Sequence, residues 1–426
     1  MRIAIIALGS RGDVQPFIAL GLALERADHS VRLIALSDYE ELVESYGLRF
    51  AGVVGAVREL MDFELVYQAL DAAPGRLPLG FARRFVTQIS PLIVRLCADC
   101  LLACQGAELL VASTLGLYPG ELLAEKLGLP LVRAHLHPHG NDPTTASVWF
   151  DDAPPWLPLR GLYHRMTHHA ATHGLWQLLA GSLNLARREA LGLPHLSRLR
   201  LWQRERRARG LTLYGYSERI APRPTGWPSW RQITGYWWLD PPAGYAPPAE
   251  LARFLAAGPP PVYVGFGSLL AGRDPAQLTD LVVAALGRAG ARGLIYEGAW
   301  GDFGAGALPD TVLRIGSTPH GWLFPRTAAA VIHGGAGTAA AALRAGSVPV
   351  LVPFFGDQRI WAGRLHSLGV SPPPIPRAAL SADGLAMAIG TAISDEAMRA
   401  RVTALGAAIG AEGGAERAAA LIGNRD

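Results

Sequence analysis

The chain has 426 residues, half of them hydrophobic and 17% charged, with a mean hydropathy of +0.21. That length exceeds one ordinary core and predicts two or three domains, and that balance excludes a disordered chain, which needs low hydrophobicity and high net charge. Its 49 glycines and 32 prolines follow no period, which excludes collagen, and the formal charge of +4 comes from scattered arginines with Lys126 as the single lysine. Scattered arginines are not the basic stripe of a nucleic-acid-binding surface, so no nucleic-acid partner is expected. Arg-, Ala-, Gly- and Pro-rich composition nearly without lysine reflects the coding bias of a GC-rich bacterial genome.

Residues 2–8 form a continuous apolar run, the pattern of a strand buried on both faces. The run enters Gly-Ser-Arg-Gly-Asp directly, which marks a strand and loop rather than a targeting segment. Residues 9–15 read as a tight polar loop and Pro16 as the first residue of a helix. Phe17, Leu20 and Leu24 follow at helical spacing, and residues 31–36 are the next buried strand. This βαβ order implies a parallel sheet. Cys97, Cys100 and Cys104 carry Cys-x2-Cys spacing, which suits a metal clip, but no matching pair or His cluster follows. Their spacings of 3 and 4 fit one buried helix face instead. An odd cysteine count without a signal peptide points to a reducing, cytoplasmic location.

Residues 109–112 and 131–134 read as further strands, with a helix at 121–127 between them. The segment 135–161, rich in Pro, Asp and aromatics, is a long loop of the kind that is usually functional. Two helices are expected at 162–174 and 175–191. Residues 237–261 are Pro- and aromatic-rich and predict an interdomain linker. It separates an N-terminal domain (1–236) from a second domain (262–393). The second half restarts the strand–glycine-loop pattern, with strands at 262–266, 328–332 and 348–352. The charge-free stretch 327–343 contains His333 and three glycines, which excludes a membrane span there.

Several polar residues stand in loops just after predicted strands. His333, Gly334, Gly335, Gly337 and Thr338 lie between a strand and a helix N-terminus, where unpaired N–H groups and a partial positive charge suit a diphosphate. The alternative is a glycine turn needed only for packing. Asp357 and Gln358 follow the next strand, where they suit sugar hydroxyls or form a solvated turn. Asp13, in the first loop, suits a general base or half of an ion pair with Arg11. Ser268 follows the first strand of the second half. Four such loops drawn from both halves point to one ligand site.

Taken together, GSRGDVQPFIALG, VYVGFGSL, PHGWLF, HGGAGT and PFFGDQRIWAGRL resemble the nucleotide-sugar glycosyltransferases of the GT-B fold, nearest to sterol glucosyltransferases and bacterial antibiotic and glycolipid glycosyltransferases. The resemblance runs from Arg2 to about Gly369 and is thin between Phe50 and Trp230. It implies an α/β fold of two Rossmann-like domains with parallel sheets facing across a cleft, acceptor bound by the first and donor by the second. A final segment, 394–426, is expected to pack back on the first domain as a helix. The resemblance makes Asp13 the catalytic base. It makes Ser10, Arg11, Gly12, Ser268, His333, Gly334, Gly335, Gly337, Thr338, Asp357 and Gln358 the donor-binding residues. Ile332 and Ala339 replace a His and a Thr common in the family. Gly321 replaces an Asp, which bears on the nucleotide pocket.

These readings imply an inverting, metal-independent transfer of a hexose from a UDP- or dTDP-sugar to a hydroxyl of a sterol, polyketide or lipid acceptor. A lipid acceptor would add transient membrane-surface contact. His135, Trp149 and Phe150, with Trp156 and Tyr163 nearby, are candidates for an apolar acceptor cleft. His164/His168 and His169/His173 have metal-compatible i, i+4 spacing, but a polar helix face or cleft lining is the preferred reading. The alternatives are a sugar-nucleotide epimerase of the same fold and a non-catalytic nucleotide-sugar-binding protein. A dinucleotide oxidoreductase is disfavoured because Gly9–Gly12 lacks a third glycine.

Overall fold

The computed structural model describes the chain except for residues 55–80, 141, 155, 198–199, 201–209, 243, 267–274, 298–307, 355 and 426. It divides into two compact units, Met1–Glu218 with Pro222–Leu239 and Gly413–Asp426, and Arg219–Ala221 with Asp240–Glu412.

The first unit is built on seven strands, β1 (Arg2–Ile6), β2 (Ser30–Leu36), β3 (Arg49–Val53), β4 (Leu109–Ala112), β5 (Leu131–His135), β6 (Thr212–Tyr214) and β7 (Arg231–Ile233). All pair in parallel in the order β3-β2-β1-β4-β5-β6-β7. The chain moves outward from β1 to β3 and then returns to place β4 on the other side of β1. That reversal is the topological switch point, where ligands bind at the carboxyl ends of strands. Ile3, Ile5 and Ile6 are at most 2% exposed, each worth roughly 1.5–3 kcal/mol of burial. The helix Arg11–Arg26 adds Phe17, Ile18, Leu20 and Leu24 to the same core.

The second unit repeats the plan with β8 (Val262–Gly265), β9 (Gly293–Tyr296), β10 (Val312–Ile315), β11 (Ala329–Ile332) and β12 (Val348–Leu351), in the order β10-β9-β8-β11-β12. Its pairs are parallel as well, and its switch point falls between β8 and β11.

Several elements differ from the sequence reading. The helix expected to begin at Pro16 begins at Arg11, with Pro16 inside it. Ser10 and Asp13 have capping-box spacing, which starts the helix before the proline. The two helices expected from residue 162 to 191 are one, Arg160–Glu189. Gly174 meets nothing where a Cβ would be and costs the helix only about 1 kcal/mol. The terminal segment is two helices, Glu396–Gly410 and Gly414–Gly423. The first stays in the second unit, where Gly406 lets it lie on the Leu343 carbonyl, a Cβ there falling 2.0 Å from that oxygen. The second belongs to the first unit and puts Ala415, Ala418, Ala419 and Ile422 into its core. The division between units thus falls at Leu239/Asp240 and at Glu412/Gly413, not at residue 394.

Cys97, Cys100 and Cys104 are buried in the first unit's core, as one helix face should be. Burial raises all three thiols, Cys97 and Cys104 to about 12, so they are inert at neutral pH. The helix that carries the first two and ends just before the third, Phe81–Ala103, contains a segment, Val86–Ala103, that is long and apolar enough to cross a membrane by length and composition.

A close approach joins the first switch point to the helix Leu117–Leu127. A Cβ on its N-cap, Gly116, would lie 2.3 Å from the Ile6 carbonyl oxygen. Gly116→Ala is therefore expected to destabilise the protein by about 1–3 kcal/mol through overpacking. A thermal melt within a degree of the parent would refute that contact.

Candidate functional site

Asp13 lies on the first turn of a helix that starts at the carboxyl end of β1. Its Oδ2 accepts from the Ser10 backbone N–H and from Ser10 Oγ, each at 2.8 Å. Gly9 has φ +129, and a Cβ there would stand 2.5 Å from Asp13 Oδ2. Glycine is thus required both for the backbone and for the room the carboxylate occupies. Gly12 is different: a Cβ would meet only Ser10 Oγ, at 3.7 Å, an ordinary contact. Arg11 and Gly12 are exposed and Ser10 is partly buried.

Neighbouring strand ends are tied to this turn. Ser113, the first residue after β4, accepts at Oγ from the Leu8 N–H (3.2 Å) and the Gly116 N–H (3.1 Å). The next residue, Thr114, bonds His135 Nδ1 at 3.0 Å. His135 stacks on His139, ring centroids 4.4 Å apart, and the Tyr214 hydroxyl donates to the His139 carbonyl at 2.9 Å. The ends of β1, β4, β5 and β6 are therefore linked in one chain. Tyr39 donates to the Gly9 carbonyl at 3.4 Å, and burial, followed by the Asp13 charge, raises its phenol.

His135, expected as acceptor lining, is only 2% exposed, so its place is beneath the surface as part of this chain. Trp149 and Phe150 are 55% and 38% exposed at the tip of a loop after β5. His164 and His168, read as a polar face or cleft lining, are buried and bond the carbonyls of Pro143 and Thr145.

In the second unit the loop after β11 enters the helix Ala336–Arg344. Gly334 takes φ +90, and a Cβ on Gly335 would stand 2.7 Å from His333 Nε2. The first bond inside the helix is Ala339 N–H to the Gly335 carbonyl, so the N–H groups of Ala336, Gly337 and Thr338 have no intrahelical acceptor. Gly337 is exposed, with nothing where a Cβ would stand. His333 hydrogen-bonds the Gly265 backbone at the end of β8, and burial lowers its imidazole to about 4 despite Asp357. Its Nδ1 is buried without a hydrogen-bond partner among the described residues. Gly334 also packs on Gln358, a Cβ there lying 3.3 Å from the Gln358 carbonyl, which brings the two predicted loops together.

Asp357 caps the helix Gln358–Ser367 region and receives Trp361 Nε1 at Oδ2, 2.8 Å away. Gln358 is only 5% exposed, and its Oε1 accepts the Phe354 N–H at 2.8 Å. That bond ties the Gln358 side chain back to Phe354. Ser268 lies outside the described residues. Among the described residues, no group of three or more His, Cys, Asp or Glu could hold a metal ion.

Ser113, Thr114, Tyr39 and Trp361 were not among the residues singled out from the sequence. Ser113 and Thr114 follow a strand directly, so the carboxyl-end rule applied to β4 would have found them.

The Glycosyltransferase family 28 N-terminal domain matches residues 3–90, and the Erythromycin biosynthesis protein CIII-like, C-terminal domain matches residues 294–417. O-mycaminosyltylonolide 6-deoxyallosyltransferase of Streptomyces fradiae is 34% identical over 439 residues, covering 99% of this chain and 97% of that protein. The chain belongs to this glycosyltransferase family. Sterol 3-beta-glucosyltransferase of Pichia angusta is 33% identical over 433 residues, covering 99% of this chain but 33% of that protein. The chain thus spans about a third of the length of that curated relative. Among solved structures, the glycotransferase of kitacinnamycin has a TM-score of 0.69 at 21% identity, covering 99% of this chain and 98% of its own. The glycosyltransferase VinC in complex with DTDP has a TM-score of 0.66 at 18% identity, with the same coverage of each chain. These likenesses establish the two-domain GT-B fold for this family member.

The buried histidines predict how this glycosyltransferase-family chain responds to acid. Burial, with repulsion from neighbouring histidines, lowers His135 well below its ordinary value and His139 to about 3. Burial also lowers His168 and His333. The unfolded chain, with values near ~6.5, then binds more protons than the folded one below that pH. The stabilisation is complete above about pH 6.5 and is lost as pH falls toward 4, at up to about 1.4 kcal/mol per pH unit for a fully buried group such as His135. Thermal melts are expected to shift down steadily from pH 7 to pH 5. A flat profile over that interval would contradict neutral burial.

Proposed function

We propose that this chain transfers a sugar, a hexose such as glucose, from a UDP- or dTDP-sugar to a hydroxyl of an apolar small molecule, with inversion at the anomeric carbon. The observation that carries the reading is that the Gly9–Asp13 turn and the His333–Thr338 loop each stand at the switch point of a parallel sheet. The 34% identity to a deoxyallosyltransferase along nearly its whole length supports transfer to a natural-product aglycone. The DTDP complex of VinC supports a nucleoside diphosphate donor.

In this scheme Asp13 takes the proton from the acceptor hydroxyl, general-base help worth roughly 10²–10⁴-fold. The oxygen forms its bond to the anomeric carbon as the bond from that carbon to the diphosphate breaks. The electron pair leaves with the diphosphate. The N–H groups of Ala336, Gly337 and Thr338 and the positive end of their helix are fixed dipoles for that charge, and His333 Nδ1 adds a polar contact. Ser10, Arg11 and Ser268 add donor contacts. Asp357 orients the sugar, while Gln358 holds the turn that presents Asp357. The scheme uses no divalent ion. Trp149 and Phe150 supply apolar surface to the acceptor.

Asp13→Asn is expected to keep donor affinity within a few-fold and to lose at least 100-fold in transfer rate. Unchanged turnover would remove Asp13 from the base role. His333→Ala and Gly337→Val are expected to weaken UDP or dTDP binding at least tenfold in calorimetry. Intact affinity in both would remove this loop from the donor site. The overall reading is tested by incubating each donor with a panel of sterol, polyketide and lipid alcohols. Donor binding without transfer to any member would overturn it.

A further inference from the structure

The loop 142–153 carries Trp149 and Phe150 at its tip, yet its base is buried: Asp142, Thr145, Ala146, Ser147 and Ala153 are all at most 8% exposed. What holds that base is one face of the helix Arg160–Glu189. His164 Nδ1 donates to the Pro143 carbonyl at 3.0 Å, and its Nε2 accepts the Ala153 N–H at 3.2 Å. The carbonyl can only accept and the amide can only donate, so in this arrangement Nδ1 is the donor and Nε2 the acceptor. Three residues on, Thr167 Oγ1 accepts the Ser147 N–H at 2.9 Å and donates to the His164 carbonyl at 2.7 Å. His168 Nε2 donates to the Thr145 carbonyl at 3.1 Å. Positions 164, 167 and 168 share a face because they are three and four apart.

The loop braces itself as well. Asp142 Oδ1 accepts from the N–H and hydroxyl of Thr144, each at 2.7 Å, and Asp152 Oδ1 accepts the Ala146 N–H at 2.8 Å. Phe150 N–H closes the tip onto the Ser147 carbonyl at 2.8 Å. Four backbone groups spread along the loop are therefore held by three side chains from one helix face. Buried backbone groups need such partners, and a loop anchored at four points cannot shift its tip without releasing one of them. The two aromatics it displays are 55% and 38% exposed, which makes them apolar surface available to a ligand.

We propose that His164, Thr167 and His168 are positioning residues that set the placement of Trp149 and Phe150 and thereby which apolar acceptor the enzyme accepts. This rests on the transfer reading above. It assigns the histidine pair a role in acceptor selection rather than in metal binding or in chemistry.

The test uses Thr167→Val, which keeps side-chain shape but removes the acceptor for Ser147 N–H, and Thr167→Ser, which restores it. Amide hydrogen exchange in the full chain reports the anchoring, and transfer kinetics report its use. Thr167→Val is expected to speed exchange at Ser147 at least tenfold and to raise acceptor KM at least fivefold. Donor KM should stay within twofold, and the ranking of acceptors should change. Thr167→Ser should return both readouts to within about threefold of the parent. Unaltered exchange, unaltered acceptor KM, or a parallel rise in donor and acceptor KM would overturn the proposal. A parent enzyme that binds donor and transfers to nothing would overturn the transfer reading and this role with it. A transfer-active Thr167→Val with parental acceptor preference would overturn this inference alone.

Discussion

Parallel strand pairing is the constraint from which the candidate site follows. Parallel strands need a crossover, and the crossover is right-handed, so helices leave the sheet on one face when the chain moves one way and on the other when it reverses. At the reversal the two loops part and leave their strand ends uncovered. In this protein the reversals fall between β1 and β4 and between β8 and β11. Asp13 follows the first member of one such pair, and His333 follows the second member of the other. The apolar runs that specify the strands therefore also decide where polar groups can be exposed to a ligand.

At each reversal the sequence uses a glycine to bring a polar side chain against its own backbone. Gly9 makes room for the Asp13 carboxylate, and Gly335 makes room for the His333 imidazole. The consequences differ. Asp13 is held by two donors from Ser10 that its carboxyl oxygen accepts, in the partially positive field of a helix N-terminus. His333 is half-buried and neutral near pH 7, with its Nδ1 buried and left without a partner among the described residues. An orphaned buried nitrogen is costly unless something completes it.

Much of this was legible in the sequence because it rests on periodicity. Residues 2–8, 109–112, 262–266 and 348–352 announce strands through unbroken apolar runs, and each lies within a residue or two of the observed element. The site loops were legible because Gly, Asp, His and Thr interrupt those runs at the carboxyl ends. Three features were hidden, one by a competing local signal and two because they depend on partners far away in sequence. The capping of Ser10 by Asp13 was masked by Pro16, whose usual place at a helix start outweighed the i, i+3 pair. The unity of Arg160–Glu189 depends on packing against Phe81–Ala103, which outweighs the glycine at 174. Ser113 matters only through its bonds to Leu8 and Gly116, a relation that needs the β1–β4 pairing first.

The histidines show how the same residue type divides by environment. On β5 and just after it, His135 and His139 stack among Tyr214 and Thr114 and hold strand ends together. On the helix Arg160–Glu189, His164 and His168 hold a loop to a helix. His333 precedes a helix N-terminus and has a ring nitrogen without a partner among the described residues. Each of the other four has a ring nitrogen or ring face committed to a neighbour in the first unit, and commitment of that kind rigidifies a scaffold. A neutral imidazole serves this better than lysine or arginine would, because it both donates and accepts and carries no charge into a buried site. That is a physical reason for a chain with one lysine to place His135, His139, His164 and His168 at the base of this loop and on the helix that holds it.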